Sequence, residues 1–137
     1  MISWVLDTNV LSEPTKIKPD PGVLEWLGTQ SRLVTTAVTI YELTAGIERL
    51  TSGKRRRVLE AWMAALVEAI EVLPFDRNAA LAAAKLEHLA RKTGRSVEHR
   101  DLFILATAHA QNCGVATRNV DHFQGLAVSV FDPFAGR

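Results

Sequence analysis

The sequence predicts an α/β fold, a three-layer α/β/α arrangement around a central parallel sheet of four to five strands. Two observations carry that prediction. Short apolar runs alternate along the chain with longer segments of helical periodicity. Most of the runs are closed by a polar, proline or glycine turn before or after the next periodic segment. Such alternation builds parallel strands covered by helices on both faces, joined by right-handed crossovers. A chain of 137 residues is long enough to bury its own core, so one domain over 1–137 is expected.

The first strand is expected over Ile2 to Leu6, an apolar run broken by Ser3 and stopped by Asp7, Thr8 and Asn9. Pro14, Pro19 and Pro21 mark a loop. Val23, Leu24 and Leu27 then share a helical face, with Gly28 placed to end that helix. Leu33 to Thr36 reads as a second strand, followed by a helix carrying Ile40, Leu43, Ile47 and Leu50. From Lys54 to Glu71 the positions Val58, Leu59, Trp62, Leu66 and Ile70 recur at three and four residues, predicting a long amphipathic helix. Val72 to Phe75 is a brief third strand. Asp76 to Thr93 is a helix rich in alanine and leucine that stops at Gly94. His99 to Gln111 is apolar on nearly every side and predicts a buried helix. Gly114 to Thr117 and Val128 to Phe131 supply the fourth and fifth strands.

Composition removes several function classes. A formal net charge of +1 gives no global field for nucleic acid, so any such contact has to come from local clustering. Cys113 stands alone, which excludes an internal disulfide, and the chain has no CxxC or HExxH from which to build a zinc site. No run approaches the ~18 apolar residues of a membrane span, and no basic leader precedes Asp7, so an unprocessed cytoplasmic protein is expected. P-loop, nucleophile-elbow and dinucleotide-binding motifs are absent as well.

What remains is a set of acids. Ligands of an open parallel sheet bind at the carboxyl ends of its strands. Asp7 directly follows strand one; Glu42 is expected in the first turn of the helix after strand two; Asn119 and Asp121 follow strand four. Asp101 opens a helix that runs antiparallel to the strands, so its first turn lies at the same edge. Clustered carboxylates raise one another's pKa unless a cation lies between them, and an oxygen-only set favours Mg²⁺ or Mn²⁺. Such an ion lowers the pKa of a bound water and neutralises phosphoryl oxygens, which is phosphodiester chemistry. Each acid also has a structural explanation: an Asx turn for Asp7, a capping box from Thr39 for Glu42, the helix dipole for Asp101 and a polar turn for Asp121. Convergence is what sets the functional reading above these.

The residues closely resemble the PIN-domain ribonucleases, in particular the VapC-type toxins of bacterial toxin-antitoxin systems and their FitB-like branch. The matching segments are Leu6 to Pro14 (LDTNVLSEP), Tyr41-Glu42-Leu43 with Gly46, Arg100-Asp101 with Ile104 to Ala108, Ala116 to Asn119 (ATRN) and Val130 to Phe134. They span essentially the whole chain. The resemblance implies that Asp7, Glu42 and Asp101 ligate Mg²⁺ or Mn²⁺ directly or through water, while Thr8 and Asn9 orient the first carboxylate. It also implies an RNA substrate, a homodimer and a small VapB-like antitoxin that blocks the acidic pocket. The chain departs at the fourth acid, which family members often place directly after the Thr-x pair or three residues later in an Asn-x-x-Asp-Phe pattern. Here those positions are Asn119 and His122, and Asp121 is the nearby acid. Asp121 and Asn119 are therefore both expected to line the site, and Arg118 to hold substrate phosphate.

Two other readings compete. A HAD-like phosphatase also begins with an aspartate after strand one, but needs a second two residues on, where this chain has Asn9. A non-catalytic interaction module with the same fold would account for the altered fourth position, though it leaves Asp7, Glu42 and Asp101 unexplained. The basic run Lys54 to Arg57 reads as a solvated helix start and Trp26, Trp62 and Met63 as core; His88, His99 and His109 show no metal-ligand spacing.

Overall fold

The computed structural model describes residues 2–134. Five strands, β1 (Trp4–Leu6), β2 (Val34–Thr36), β3 (Glu71–Leu73), β4 (Gly114–Ala116) and β5 (Val130–Phe131), form one all-parallel sheet in the order β3-β2-β1-β4-β5. Seven helices are found among the described residues: α1 (Thr8–Leu11), α2 (Pro21–Gly28), α3 (Ala37–Glu48), α4 (Lys54–Ala69), α5 (Arg77–Lys92), α6 (His99–Ala110) and α7 (Val120–Phe123). The three-layer α/β/α class expected from the sequence is the fold observed.

Strand alternation divides the interior into two cores. Val5 and Val115, paired in register, point with Val34 into a cluster that takes Ala83, Leu86 and Ala90 from α5, Leu102 and Leu105 from α6, and Phe123 from α7. The next residues, Leu6 and Ala116, point the opposite way, toward Val10, Leu11, Val23, Leu43, Ile47 and Met63 of α1 to α4. The period of two along each strand is thus what separates the layers. α6 is enclosed as expected, with Ile104, Leu105, Ala106 and Ala108 fully buried.

Several boundaries differ from the sequence expectation, each for a local reason. β3 begins at Glu71 and ends at Leu73, because Pro74 has no N–H with which to extend a ladder. α4 correspondingly stops at Ala69, with Ile70 already extended. Val58 on α4 is exposed; the inward stripe runs through Leu59, Trp62, Met63, Leu66 and Ile70. Gly28 is the last helical residue of α2 and does not turn the chain; Thr29 caps the helix, its hydroxyl donating to the Trp26 carbonyl at 2.6 Å. β5 is confined to Val130–Phe131, after a turn in which Ala127 takes φ 64. Gly94 behaves as expected. At φ 75 it closes α5 in a paired motif, with Arg95 N–H donating to Ala90 and Gly94 N–H to Arg91.

The strand order places the topological switch between β1 and β4, the two central strands. Connections leave them toward opposite edges of the sheet, which opens a crevice at their carboxyl ends. Leu6, the end of β1, leads straight into Asp7, and Ala116, the end of β4, into Thr117.

Candidate active site

Asp7 is the centre of this crevice and is 4% exposed. Its backbone N–H donates to the Ala116 carbonyl at 3.0 Å, so the β1–β4 ladder continues up to the acid itself. Its carboxylate caps the one-turn helix α1: Oδ1 accepts from the Thr8 N–H at 2.7 Å. Oδ2 accepts from the Thr117 hydroxyl at 2.7 Å and from Asn9 Nδ2 at 3.4 Å. The Thr117 hydroxyl in turn accepts from the Asn119 N–H, and Asn9 Oδ1 accepts from the Arg118 N–H, each at 3.0 Å. Two loops 110 residues apart in sequence are thereby tied through one carboxylate.

The charge of Asp7 is costly where it stands. Burial first, and then the negative charges of Asp101 and Glu42, raise its pKa from 3.8 to about 6, against the lowering effect of the bonds from Thr117 and Thr8. Both helix-borne acids therefore lie near enough to act on it. Burial also pushes the Asp101 carboxyl up, and a bond from His122 Nδ1 to Oδ2 at 3.1 Å pulls it back.

Asp101 occupies the first turn of α6, as expected, behind Glu98, whose carboxylate caps the helix. Glu42 corrects the sequence reading: it lies in the second turn of α3. The N-cap of α3 is Thr36, whose hydroxyl accepts from Thr39 N–H at 3.1 Å, so no capping box involves Glu42. Glu42 Oε1 instead accepts from the Thr8 hydroxyl at 2.7 Å, and Oε2 lies 3.8 Å from Arg100 Nε. Thr8 thus serves two acids, its amide binding Asp7 and its hydroxyl Glu42.

The region of the fourth acid is looser. Asn119 and Asp121 are exposed, and Asp121 lines a cavity of about 290 Å³ with Asp101, His122, Glu98 and Arg95, to one side of Asp7. Arg118 is exposed, with its guanidinium 3.8 Å above the Phe134 ring; the buried Glu13 carboxyl is held below its usual range first by the Asp20 N–H and then by Lys16, with Arg118 adding least. On the other side of Glu42, a cavity of about 340 Å³ runs between α3 and α4 over Leu43, Ile47, Leu50, Leu59 and Trp62.

Three participants carried no role in the sequence reading. Thr117 had a signal, since it follows β4 as Asp7 follows β1. His122 and Arg100 had none, because the acids they reach in the site, Asp101 and Glu42, lie on other elements. Among the described residues, no group of three or more histidine, cysteine, aspartate or glutamate side chains is gathered closely enough to hold a metal ion. The donors nevertheless suit a hard divalent ion: oxygen atoms spread around an open crevice, with mutual repulsion that a cation would relieve. Mg²⁺ characteristically keeps several waters and uses one or two carboxylates plus substrate phosphate.

This crevice between the central strands, with an acid at the end of β1 and two more on helices beside it, defines a class, and comparison with known proteins agrees. The PIN domain family matches residues 4–128, and the chain belongs to that family. It is 36% identical over 135 residues to VapC ribonuclease Y4jK of Sinorhizobium fredii, covering 95% of this chain and 96% of that one. It is 33% identical to toxin FitB of Neisseria gonorrhoeae, over 95% of this chain and 97% of that one. The crystal structure of FitAcB from Neisseria gonorrhoeae superposes with a TM-score of 0.90 at 32% identity, covering 96% of this chain and 98% of the other. Among the described residues no helix is long and apolar enough to cross a membrane.

Proposed function

We propose that residues 1–137 act as one PIN domain, a divalent-metal-dependent endoribonuclease that is the toxin of a VapBC-type toxin-antitoxin pair and works in the cytoplasm. The observation that carries this reading is the buried Asp7, held by Thr8, Thr117 and Asn9 beside Asp101 and Glu42. The similarity to a VapC ribonuclease and to toxin FitB supports it.

Asp7, Glu42 and Asp101 are the residues that would hold Mg²⁺ or Mn²⁺, Asp7 and Asp101 foremost. A divalent ion bound there supplies an activated water and neutralises charge on the phosphoryl oxygens. The chain's own groups do the positioning. Thr117 and the Thr8 amide keep Asp7 ionisable despite its burial, and the Thr8 hydroxyl fixes the distance between Asp7 and Glu42. Asn9 and Asn119 brace the same two loops. Asp121 lies beside Asp101 as the remaining acid at the rim. Arg118 at the mouth is assigned to a substrate phosphate, released from Phe134 as RNA arrives.

The apolar cavity beside Glu42 supports the second half of the reading. A segment of an antitoxin seated over Leu43, Leu59 and Trp62 would end at Glu42 and close the site. Exposed Tyr41, Phe75 and Leu81 supply further apolar surface, consistent with a homodimer.

The test is cleavage of structured RNA by the purified chain, freed of any partner, with Mg²⁺ or Mn²⁺. Cleavage is expected to vanish with EDTA and with Asp7→Asn. Intact RNA, or cleavage surviving both controls, overturns the nuclease reading. Mg²⁺-dependent phosphatase activity on small monoesters, with RNA left intact, would favour HAD-like chemistry instead.

A further inference from the structure

We infer that His122 is a positioning residue for Asp101, setting the rotamer of that carboxylate and leaving its other oxygen free for the site; this rests on the nuclease reading above. His122 Nδ1 lies 3.1 Å from Asp101 Oδ2. A carboxylate can only accept, so the ring carries its proton on Nδ1 and donates it. Among the described residues this is the one side-chain donor to the Asp101 carboxylate, whose side chain is 21% exposed. Oδ1 accepts no such bond and remains available.

The ring is not a loose surface group resting on an acid, because the segment that presents it is anchored twice. Phe123, its neighbour, is fully buried in the core under α6. From the turn after α5, Arg95 donates to the carbonyls of Asp121 and His122 at 3.1 Å each, and also to that of Gln124. One guanidinium thus gathers two backbone carbonyls of a four-residue helix and that of its C-cap, Gln124, where the helix could not hold itself together. The same side chains, Arg95, His122, Asp101 and Asp121, line the cavity of about 290 Å³ at the mouth of the site. The backbone of α7 is held still, and the imidazole is delivered at a fixed height above α6.

The chemistry of position 122 gives this its meaning. The related pattern noted in the sequence has an acid three residues after the asparagine, and an acid at 122 would confront Asp101 with like charge. Imidazole replaces that repulsion with a donor. A hydrogen bond from outside is what fixes the orientation of a metal-binding carboxylate, and its loss typically costs about 10- to 100-fold in metal affinity. Asp121, one residue earlier, is exposed and makes no such contact, so it does not substitute for the ring.

The experiment is Mn²⁺ titration of the purified full chain, followed by isothermal calorimetry and by loss of the free-ion electron paramagnetic resonance signal. It is run beside kcat and KM on a structured RNA. His122→Ala is expected to weaken Mn²⁺ binding about tenfold or more, and to lower kcat with little change in KM. His122→Asn, which can place an N–H where Nδ1 stood, is expected to recover most of both. The ring is more than half exposed, with 58% of its side-chain surface accessible, so truncation leaves the core intact, and an unchanged Tm checks this. His122→Ala binding Mn²⁺ like the parent while Asp7→Asn and Asp101→Asn lose it would overturn the proposal and leave the nuclease reading standing. An asparagine variant no better than the alanine one would overturn it too. Failure of the parent chain to bind Mn²⁺ at all would overturn both.

Discussion

Asp7 and the pair Glu42 and Asp101 solve the same problem in opposite ways. Asp7 sits at the end of a central strand, buried, and is held by hydroxyl, amide and backbone donors that carry no charge. Glu42 and Asp101 sit on helices at the rim, half-buried, and each keeps a basic side chain close, Arg100 for one and His122 for the other. A neutral cradle fixes geometry but leaves the desolvation of the charge uncompensated, which is why the pKa of Asp7 rises to about 6. The rim acids have fewer donors, the Thr8 hydroxyl for Glu42 and His122 for Asp101, with Arg100 Nε 3.8 Å from Glu42. The buried acid, with three donors, is therefore the rigid reference, and each rim carboxylate depends on a single hydrogen bond among the described residues.

Substituting each acid is the sharpest way to break that comparison. Asp7→Asn is expected to lower RNA cleavage by about a thousandfold or more, ~4 kcal/mol of transition-state stabilisation. Glu42→Gln and Asp101→Asn are each expected to lose about a hundredfold, ~3 kcal/mol. Equal losses at all three would mean that rigidity has no bearing on role.

Acid titration probes the same contrast in stability. The pKa of Asp7 is higher folded than unfolded, so its stabilising effect is complete below pH 3.8 and is lost as pH rises through about 6. In EDTA, stability is expected to fall across that window by on the order of 3 kcal/mol. Asp101, also raised, adds in the same direction. Urea unfolding at several pH values should show the slope in the parent and a much smaller one in Asp7→Asn, and Mn²⁺ should oppose it. A slope unchanged in the variant would locate the buried charge elsewhere.

Removing one donor of the cradle is a finer cut. Thr117→Val deletes the hydroxyl that serves both Asp7 and the Asn119 amide, and should cost about 1–3 kcal/mol. It also removes the largest influence lowering the Asp7 pKa, so the acid limb of the pH profile for cleavage should move to higher pH. A limb that stayed in place would assign it to another group. Smallest of all, Gly94→Ala puts a side chain at φ 75 and should cost about 1 kcal/mol in urea melts, with cleavage unchanged.

How much of this was legible in the sequence follows from the range of the interactions concerned. The layers, all five strands and the long helices were readable, since each rests on periodicity within its own segment. α1 and α7 were not, being a single turn each, too short to show a period. The location of Asp7 and Asp101 at one edge followed from the alternation of parallel strands with helices that run antiparallel to them. The capping assignment at Glu42 failed because Thr36 and Thr39 both suit an N-cap, and the backbone chose the earlier one. The pairings Thr8 to Glu42, Thr117 to Asp7 and His122 to Asp101 join residues 34, 110 and 21 positions apart. No local pattern encodes such contacts; they appear once β1 lies between β2 and β4.

That last arrangement bears on how the protein comes into being. β1 is made first, yet its neighbour β4 and the Thr117 hydroxyl come more than a hundred residues later. Pairings of such long range form late and slowly. At roughly 5–20 residues per second of synthesis, a growing chain spends several seconds with Asp7 made and its cradle missing. A polypeptide halted before Thr117 would carry Asp7, Glu42 and Asp101 and still lack the site, so a cell translating this message meets no active nuclease until synthesis has passed Thr117.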